Sequence, residues 1–293
     1  MRPLHLVISK NPISVLLLVS CLNVSYSQDS IHLKQNAVKI DNPDSLGEDI
    51  YKLIATYQLI MIGEMHGTNE PAVLVTSLVD LLTKKNDSVQ VGLEIPSEQM
   101  KNYLWAPAVS NIYASDFFAN KSSDGRATCA WATLIEKLNN NHKAEIFFYD
   151  INHEDAEFID DTIRDSMMYV KIKKKIQAHP TWKTITLGGN IHNMLMPYKY
   201  DGKTKMALYI SNDKELNISK RILSLVHVYA AGSTLSDSGN GLQLIQVDQS
   251  NSLWAKATAC ENYLFLYPQN VKTNYSGVYF TRKLTASKLL SER

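Results

Sequence analysis

Short apolar runs, polar turns and amphipathic stretches alternate along most of this chain. Leu46, Ile50, Leu53 and Ile54 fall at helical spacing behind Ser45, a residue suited to an N-cap. Leu59–Ile62 reads as a strand, and Pro71, at home in a first helical turn, opens a helix that runs through Leu82. Val89–Leu93 is a second strand, followed by a short helix over Ser97–Trp105 and an aperiodic excursion, Ala106–Gly125, over the strand ends. A helix over Thr128–Leu138, a strand over Ala144–Tyr149, a long helix over Asp155–Ile176 and a strand over Thr184–Leu187 continue the alternation. The tail differs: Met206–Ile210, Leu223–Ala230, Leu242–Val247 and Val278–Arg282 read as strands with little helix between them.

Alternating strands and helices imply parallel strands joined by crossovers. The fold expected is α/β, a mostly parallel central sheet flanked by helices, extended by C-terminal strands that are partly antiparallel. No internal repeat, low-complexity tract or linker divides the chain, so residues 28–293 are read as one domain.

The first 27 residues stand outside that domain. Arg2 and Lys10 precede an apolar run from Ile13 to Leu22 that is too short for an ordinary membrane span, which is the pattern of an export signal. Ser25 and Ser27 fit a small-x-small cleavage site ending before Gln28, whereas Leu18-Val19-Ser20-Cys21 resembles a lipoprotein box with Cys21 as the acylated residue. Either way the protein is expected to be exported: periplasmic, secreted, or an outer-membrane lipoprotein touching the membrane only through a lipid on Cys21. Cys129 and Cys260 then remain, either as one disulfide or as two free thiols.

Of the 293 residues, 45% are hydrophobic and the formal net charge is +1, so a large core is available and no basic surface points to nucleic acid. A small-molecule or peptide substrate is the expected partner.

The candidate chemistry lies at the ends of the apolar runs. LIMIG leads into Glu64 and His66, VQVGL into Glu94, AEIFFY into Asp150, and TITLGG into Asn190 and His192. The carboxyl edge of a parallel sheet is where loops converge on a ligand crevice. Glu64 and His66 are two apart, so both can face one cavity, as a histidine base or metal ligand with a carboxylate partner. Glu94, between Leu93 and Ile95, must be paired or titrate abnormally. Gly188 and Gly189 let the backbone approach a ligand, and Asn190 can hydrogen-bond it. On the long helix, Arg164 can hold an anion or pair with Glu94, beside a stripe of Ile159, Ile163, Met167 and Val170; Lys171–Lys175 reads as a solvated face. The chain has no GxSxG, HExxH, Walker or GxGxxG string.

The succession IMIGEMHGTNE, VGLEIPSEQM, RDSMM and GGNIHNM resembles the superfamily that joins ChaN-like haem-binding lipoproteins, Tiki-type and TraB-type metalloproteases and erythromycin-esterase-like hydrolases. It covers Leu59 to Met194. The resemblance implies an α/β core with Glu64, His66, Glu94, Arg164, Asp165 and His192 at the matching motif positions. The GExH spacing is closer to the ChaN and Tiki branches, because the esterases usually carry one more residue between that glutamate and histidine.

Together these readings predict an exported hydrolase in which Glu64, His66, Glu94 and His192 surround an activated water, with or without a divalent metal held by the same four residues, directed at an amide or ester bond. Arg164, Asn190 and Asp150 would bind substrate. The alternative is a non-catalytic haem or porphyrin-binding lipoprotein, with His66, His192 or a tyrosine on the iron and Trp105, Tyr113, Phe117 and Phe118 covering the macrocycle.

Overall fold

The computed structural model describes residues 33, 35–101, 113–119, 124–152, 160–237, 241–257, 260–268 and 270–290. The export signal with Cys21, Trp105 and much of Ala106–Gly125 lie outside the described residues. Nine strands form one sheet: β1 (Val38–Lys39), β2 (Leu59–Glu64), β3 (Val89–Pro96), β4 (Ala144–Asp150), β5 (Lys183–Gly189), β6 (Ile222–Asp237), β7 (Leu242–Asp248), β8 (Asn262–Leu266) and β9 (Gly277–Leu284). The spatial order is β1-β8-β9-β6-β2-β5-β3-β4, with β7 paired to the far half of β6. From β4 across to β9 all neighbours are parallel; β7, β8 and β1 are antiparallel additions.

Among the described residues, five of the helices frame the sheet around the site: α1 (Glu48–Ile54), α2 (Glu70–Lys84), α3 (Cys129–Asn139), α4 (Asp161–Ala178) and α5 (Met206–Asn212). The strands alternate their side chains between two apolar layers. Ile60, Ile62, Val91, Leu93, Ile185 and Leu187 join α2 and α3 on one face. Leu59, Met61, Phe147 and Tyr149 join α4 and α5 on the other. With both faces covered, β2 is buried at every position, which explains why it reads as a continuous apolar run. The chain leaves β2 and β3 toward one layer and β4 and β5 toward the other, so their four carboxyl ends open on a shared crevice.

Several expectations are corrected. Met206–Ile210 is helical, not extended: in MALYI nearly every position is apolar, so no period distinguishes the two, and Met206, Ala207 and Ile210 pack at helical spacing against Met168 and Ile172. The first helix begins after Gly47 rather than Ser45. The stripe on α4 is rotated, with Met168, Ile172 and Ile176 buried beside Asp165 while Ile163 and Val170 are exposed. That rotation turns Arg164 and Asp165 toward the crevice. Lys171 is not simply solvated, since its ammonium bonds Ser97 Oγ and the Asp150 carbonyl. Cys129 and Cys260 are free thiols. Strands β1 and β8 were not expected.

One buried titratable group belongs to the fold rather than the crevice. His227 on β6 is 2% exposed, bonds Thr281 Oγ1 through Nε2 at 3.0 Å and stacks on Tyr279. Burial pulls its pKa from 6.5 down to about 3. Between those two values the unfolded chain binds a proton that the folded chain does not, so stability is complete above pH 6.5 and falls as the pH drops, by about 1.4 kcal/mol per unit. His227→Phe, which keeps the stacking and cannot titrate, is expected to lose about 2 kcal/mol less than the parent between pH 7 and pH 5 in urea unfolding; equal losses would contradict this.

Candidate active site

At the end of β2, Glu64 is buried while the next residues turn outward, and the His66 ring folds back so that Nδ1 lies 2.6 Å from Glu64 Oε1. The second carboxylate oxygen accepts the indole N–H of Trp131, on α3, at 3.1 Å. The loop is held from outside: Thr234 Oγ1, on β6, donates to the His66 carbonyl at 2.6 Å, and the Gly67 carbonyl accepts the amides of Leu235 and Ser287. Gly67 has φ of 76°, and a Cβ there would collide with the Leu235 carbonyl, so only glycine lets the hairpin of β6 and β7 close on the loop.

His192 follows β5 on a short 3-10 turn, Asn190–Asn193. Its Nδ1 lies 2.8 Å from Oδ1 of Asp165, which is fully buried on α4 and also accepts the Met206 amide at 2.9 Å. Each imidazole therefore has Nδ1 fixed by a carboxylate. Gly189 shows how close they come: a Cβ on it would lie 3.3 Å from His66 Nε2 and 3.5 Å from His192 Cδ2. The two rings flank one point, and a side chain on Gly189 would intrude between them.

Beside this pair is a buried charge network. Glu94 is 1% exposed; its Oε1 accepts Arg164 Nη2 at 2.6 Å and Arg126 Nη1 at 3.2 Å, and its Oε2 accepts the Gly189 amide at 2.6 Å. Asp150 binds the same two guanidiniums, Arg126 at 2.7 Å and Arg164 at 2.9 Å through Nε and again through Nη2. Arg126 also grips Asp124. Arg164 Nη1 reaches to 3.4 Å of His192 Nε2, which joins the network to the second imidazole.

The electrostatics follow from burial against pairing. Burial pushes the Glu64 carboxyl up, and its bonds to His66 and Trp131 offset this only in part. Burial alone would lower His66, but the hydrogen bond and charge of Glu64, with Glu94 beyond it, outweigh that and hold the imidazole above 6.5. For Glu94 burial is opposed by His192, Arg126 and Arg164, and the carboxyl ends below its ordinary value. Burial acts on Asp150 too, yet the Arg164 bond and the Arg126 charge hold it well below the carboxylate range.

The structure thus brings Glu64, His66, Glu94, Arg164, Asp150 and His192 to one crevice. Asn190 is turned elsewhere: its amide accepts the His227 N–H and donates to the His227 carbonyl, fastening the 3-10 turn to β6. Arg126, Trp131 and the pairing of Asp165 with His192 escaped the sequence reading. Two carboxylates at neighbouring strand ends with one arginine in view was the available signal, because burying both requires a second cation.

The expected metal set does not fit. Glu94 is saturated by two guanidiniums and an amide, Glu64 by His66 and an indole N–H, and both Nδ1 atoms by carboxylates, which leaves two Nε2 nitrogens with Arg164 beside one of them. Among the described residues no group of three or more His, Cys, Asp or Glu is arranged to hold an ion. The aromatic cover expected for a macrocycle is also committed: Phe117 and Phe118 are 3% and 4% exposed within the core, and Tyr113 Oη donates to the Ala132 carbonyl.

No family model matches the sequence, and no curated protein does. Among solved structures, a protein from Bacillus cereus aligns with TM-score 0.68 at 10% identity over 91% of this chain and 99% of its own. A succinoglycan biosynthesis protein aligns with TM-score 0.65 at 10% identity, over 91% and 100%. The erythromycin esterase EreC, in its open conformation, aligns with TM-score 0.55 at 11% identity, over 86% and 93%. The fold is therefore shared with an esterase of the superfamily that the strand-end motifs resemble, and at these identities the likeness is one of fold.

Proposed function

We propose that the chain is an exported hydrolase that activates water against an ester or amide bond without a metal. The observation that carries this reading is the pair of carboxylate-held imidazoles flanking Gly189. With Nδ1 donating to a carboxylate, the nitrogen of each ring left for proton exchange is Nε2, which in His66 lies beside Gly189 and in His192 beside Arg164 Nη1. The His66 side chain is 24% exposed and the His192 side chain 12%, so His66 is assigned as the base that deprotonates water and His192 as the acid that protonates the leaving group. Arg164, next to His192 Nε2, is placed to stabilise a developing oxyanion. Glu94 and Asp150 hold both arginines in place. The substrate is a small molecule or peptide, and the first 27 residues direct export, with Cys21 as the site of any lipid anchor.

The test is a panel of chromogenic nitrophenyl esters and aminoacyl nitroanilides assayed against pH, with hemin titrated into the same preparation. Hydrolysis should decline as the pH falls through a His66 pKa above 6.5, since only the neutral ring is a base. Glu64→Gln removes the negative partner, so that decline should move to lower pH while the rate falls at every pH. An unmoved profile, or no hydrolysis together with a Soret band on adding hemin, would replace this reading with the haem-binding one.

A further inference from the structure

A buried lysine next to the second imidazole has no part in the reaction described above. Lys205 is 3% exposed, immediately before α5, and its ammonium lies 3.5 Å from Asp165 Oδ2 and 5.4 Å from the centre of the Tyr198 ring. Asp165 Oδ2 is buried and accepts no hydrogen bond, whereas Oδ1 serves His192 and the Met206 amide. A lysine this deep is costly unless its charge is used, and a fully buried aspartate is likewise costly as an anion. Each is the other's compensation.

We infer that Lys205 is a positioning residue for His192: by pairing with Oδ2 of Asp165 it fixes the carboxylate whose Oδ1 holds His192 Nδ1, and so the Nδ1–H tautomer and the direction of the ring. The inference rests on the proposed hydrolase reading for its consequence, not for its geometry. The groups that face His192 are Asp165 and Arg164 from α4, Glu94 from β3, and His66 across Gly189. Of these only Asp165 touches Lys205. Without the lysine, the buried Oδ2 of Asp165 would have no partner, and the carboxylate would no longer be fixed against His192 Nδ1.

The readout is the ring-nitrogen NMR spectrum of His192 in the full chain, which separates the Nδ1–H from the Nε2–H tautomer, compared among the parent, Lys205→Met, Lys205→Gln and Lys205→Arg. Removing the ammonium should replace the single Nδ1–H pattern of His192 by a mixture of the two ring tautomers, and Lys205→Arg should restore the single pattern. Turnover of the panel substrate should fall about tenfold with KM within about twofold, and Lys205→Arg should recover most of it. An unchanged Nδ1–H pattern in folded Met and Gln variants would overturn the inference, and so would failure of both to fold, which would make Lys205 a stability residue. If the parent hydrolyses nothing, the functional reading falls while the ring-nitrogen spectrum still decides the role of Lys205.

Discussion

Arg126→Met is expected to lower the free energy of unfolding by about 3–5 kcal/mol, a fall readable as an earlier urea midpoint with an unchanged slope. Arg126 and Arg164 neutralise Glu94 and Asp150 in a region where neither carboxylate is more than 3% exposed. Methionine fills much of the space of the arginine but supplies no charge. One guanidinium would then face two buried carboxylates, and Glu94 would also lose the donor to its main-chain carbonyl, which Arg126 Nη1 bonds at 2.6 Å. Leaving a buried ion without its partner costs more than the intact pair gains, because the desolvation remains and the compensation is gone. The same reasoning fixes the double variant. Glu94→Gln with Arg126→Met removes one charge of each sign while the new amide can still accept from Gly189, so its cost should be clearly less than the sum of the single costs. A loss below about 1 kcal/mol for Arg126→Met, or strict additivity in the double variant, would show that solvent already reaches the network.

How much of this was legible in the sequence depended on whether a residue announces itself by position or by partner. Glu64, His66, Glu94, Asp150 and His192 each end an apolar run, and a charge at the end of a buried strand is conspicuous without coordinates. The parallel core was legible for the same reason, since a strand covered on both faces cannot alternate. Arg126 follows an aperiodic stretch, and nothing local says that it turns inward. Trp131 lies on an apolar helix, where its ring reads as core and its N–H donor to Glu64 does not show. Asp165 was visible beside Arg164, but its pairing with His192 depends on the rotation of α4, and the apolar count along that helix favoured a different face. Asn190 runs the other way: its place beside two glycines suggested a ligand, whereas its side-chain oxygen and nitrogen each bond the His227 backbone on β6. Periodicity reports burial, while the identity of a polar partner across the sheet is set by topology.

His66→Ala is expected to reduce kcat/KM for the best panel substrate by about a thousandfold, within the range that removing a positioned base produces. Folding should survive. His66 is only partly covered, and the Glu64 left behind keeps its Trp131 donor and is already pushed toward the neutral acid by burial, so it can protonate rather than remain an unpaired ion. His192→Ala should cost about a hundredfold, because the base remains and only protonation of the leaving group is lost. The decisive quantity is the double variant. If the two imidazoles act on one bond from either side of Gly189, losing the base makes the acid nearly irrelevant, and His66→Ala with His192→Ala should be scarcely slower than His66→Ala alone. Losses that multiply to about a hundred-thousandfold would mean that the two dyads serve independent steps. A His66→Ala protein with parental turnover would remove the base altogether and, with it, the reason for two carboxylate-held histidines to share a crevice.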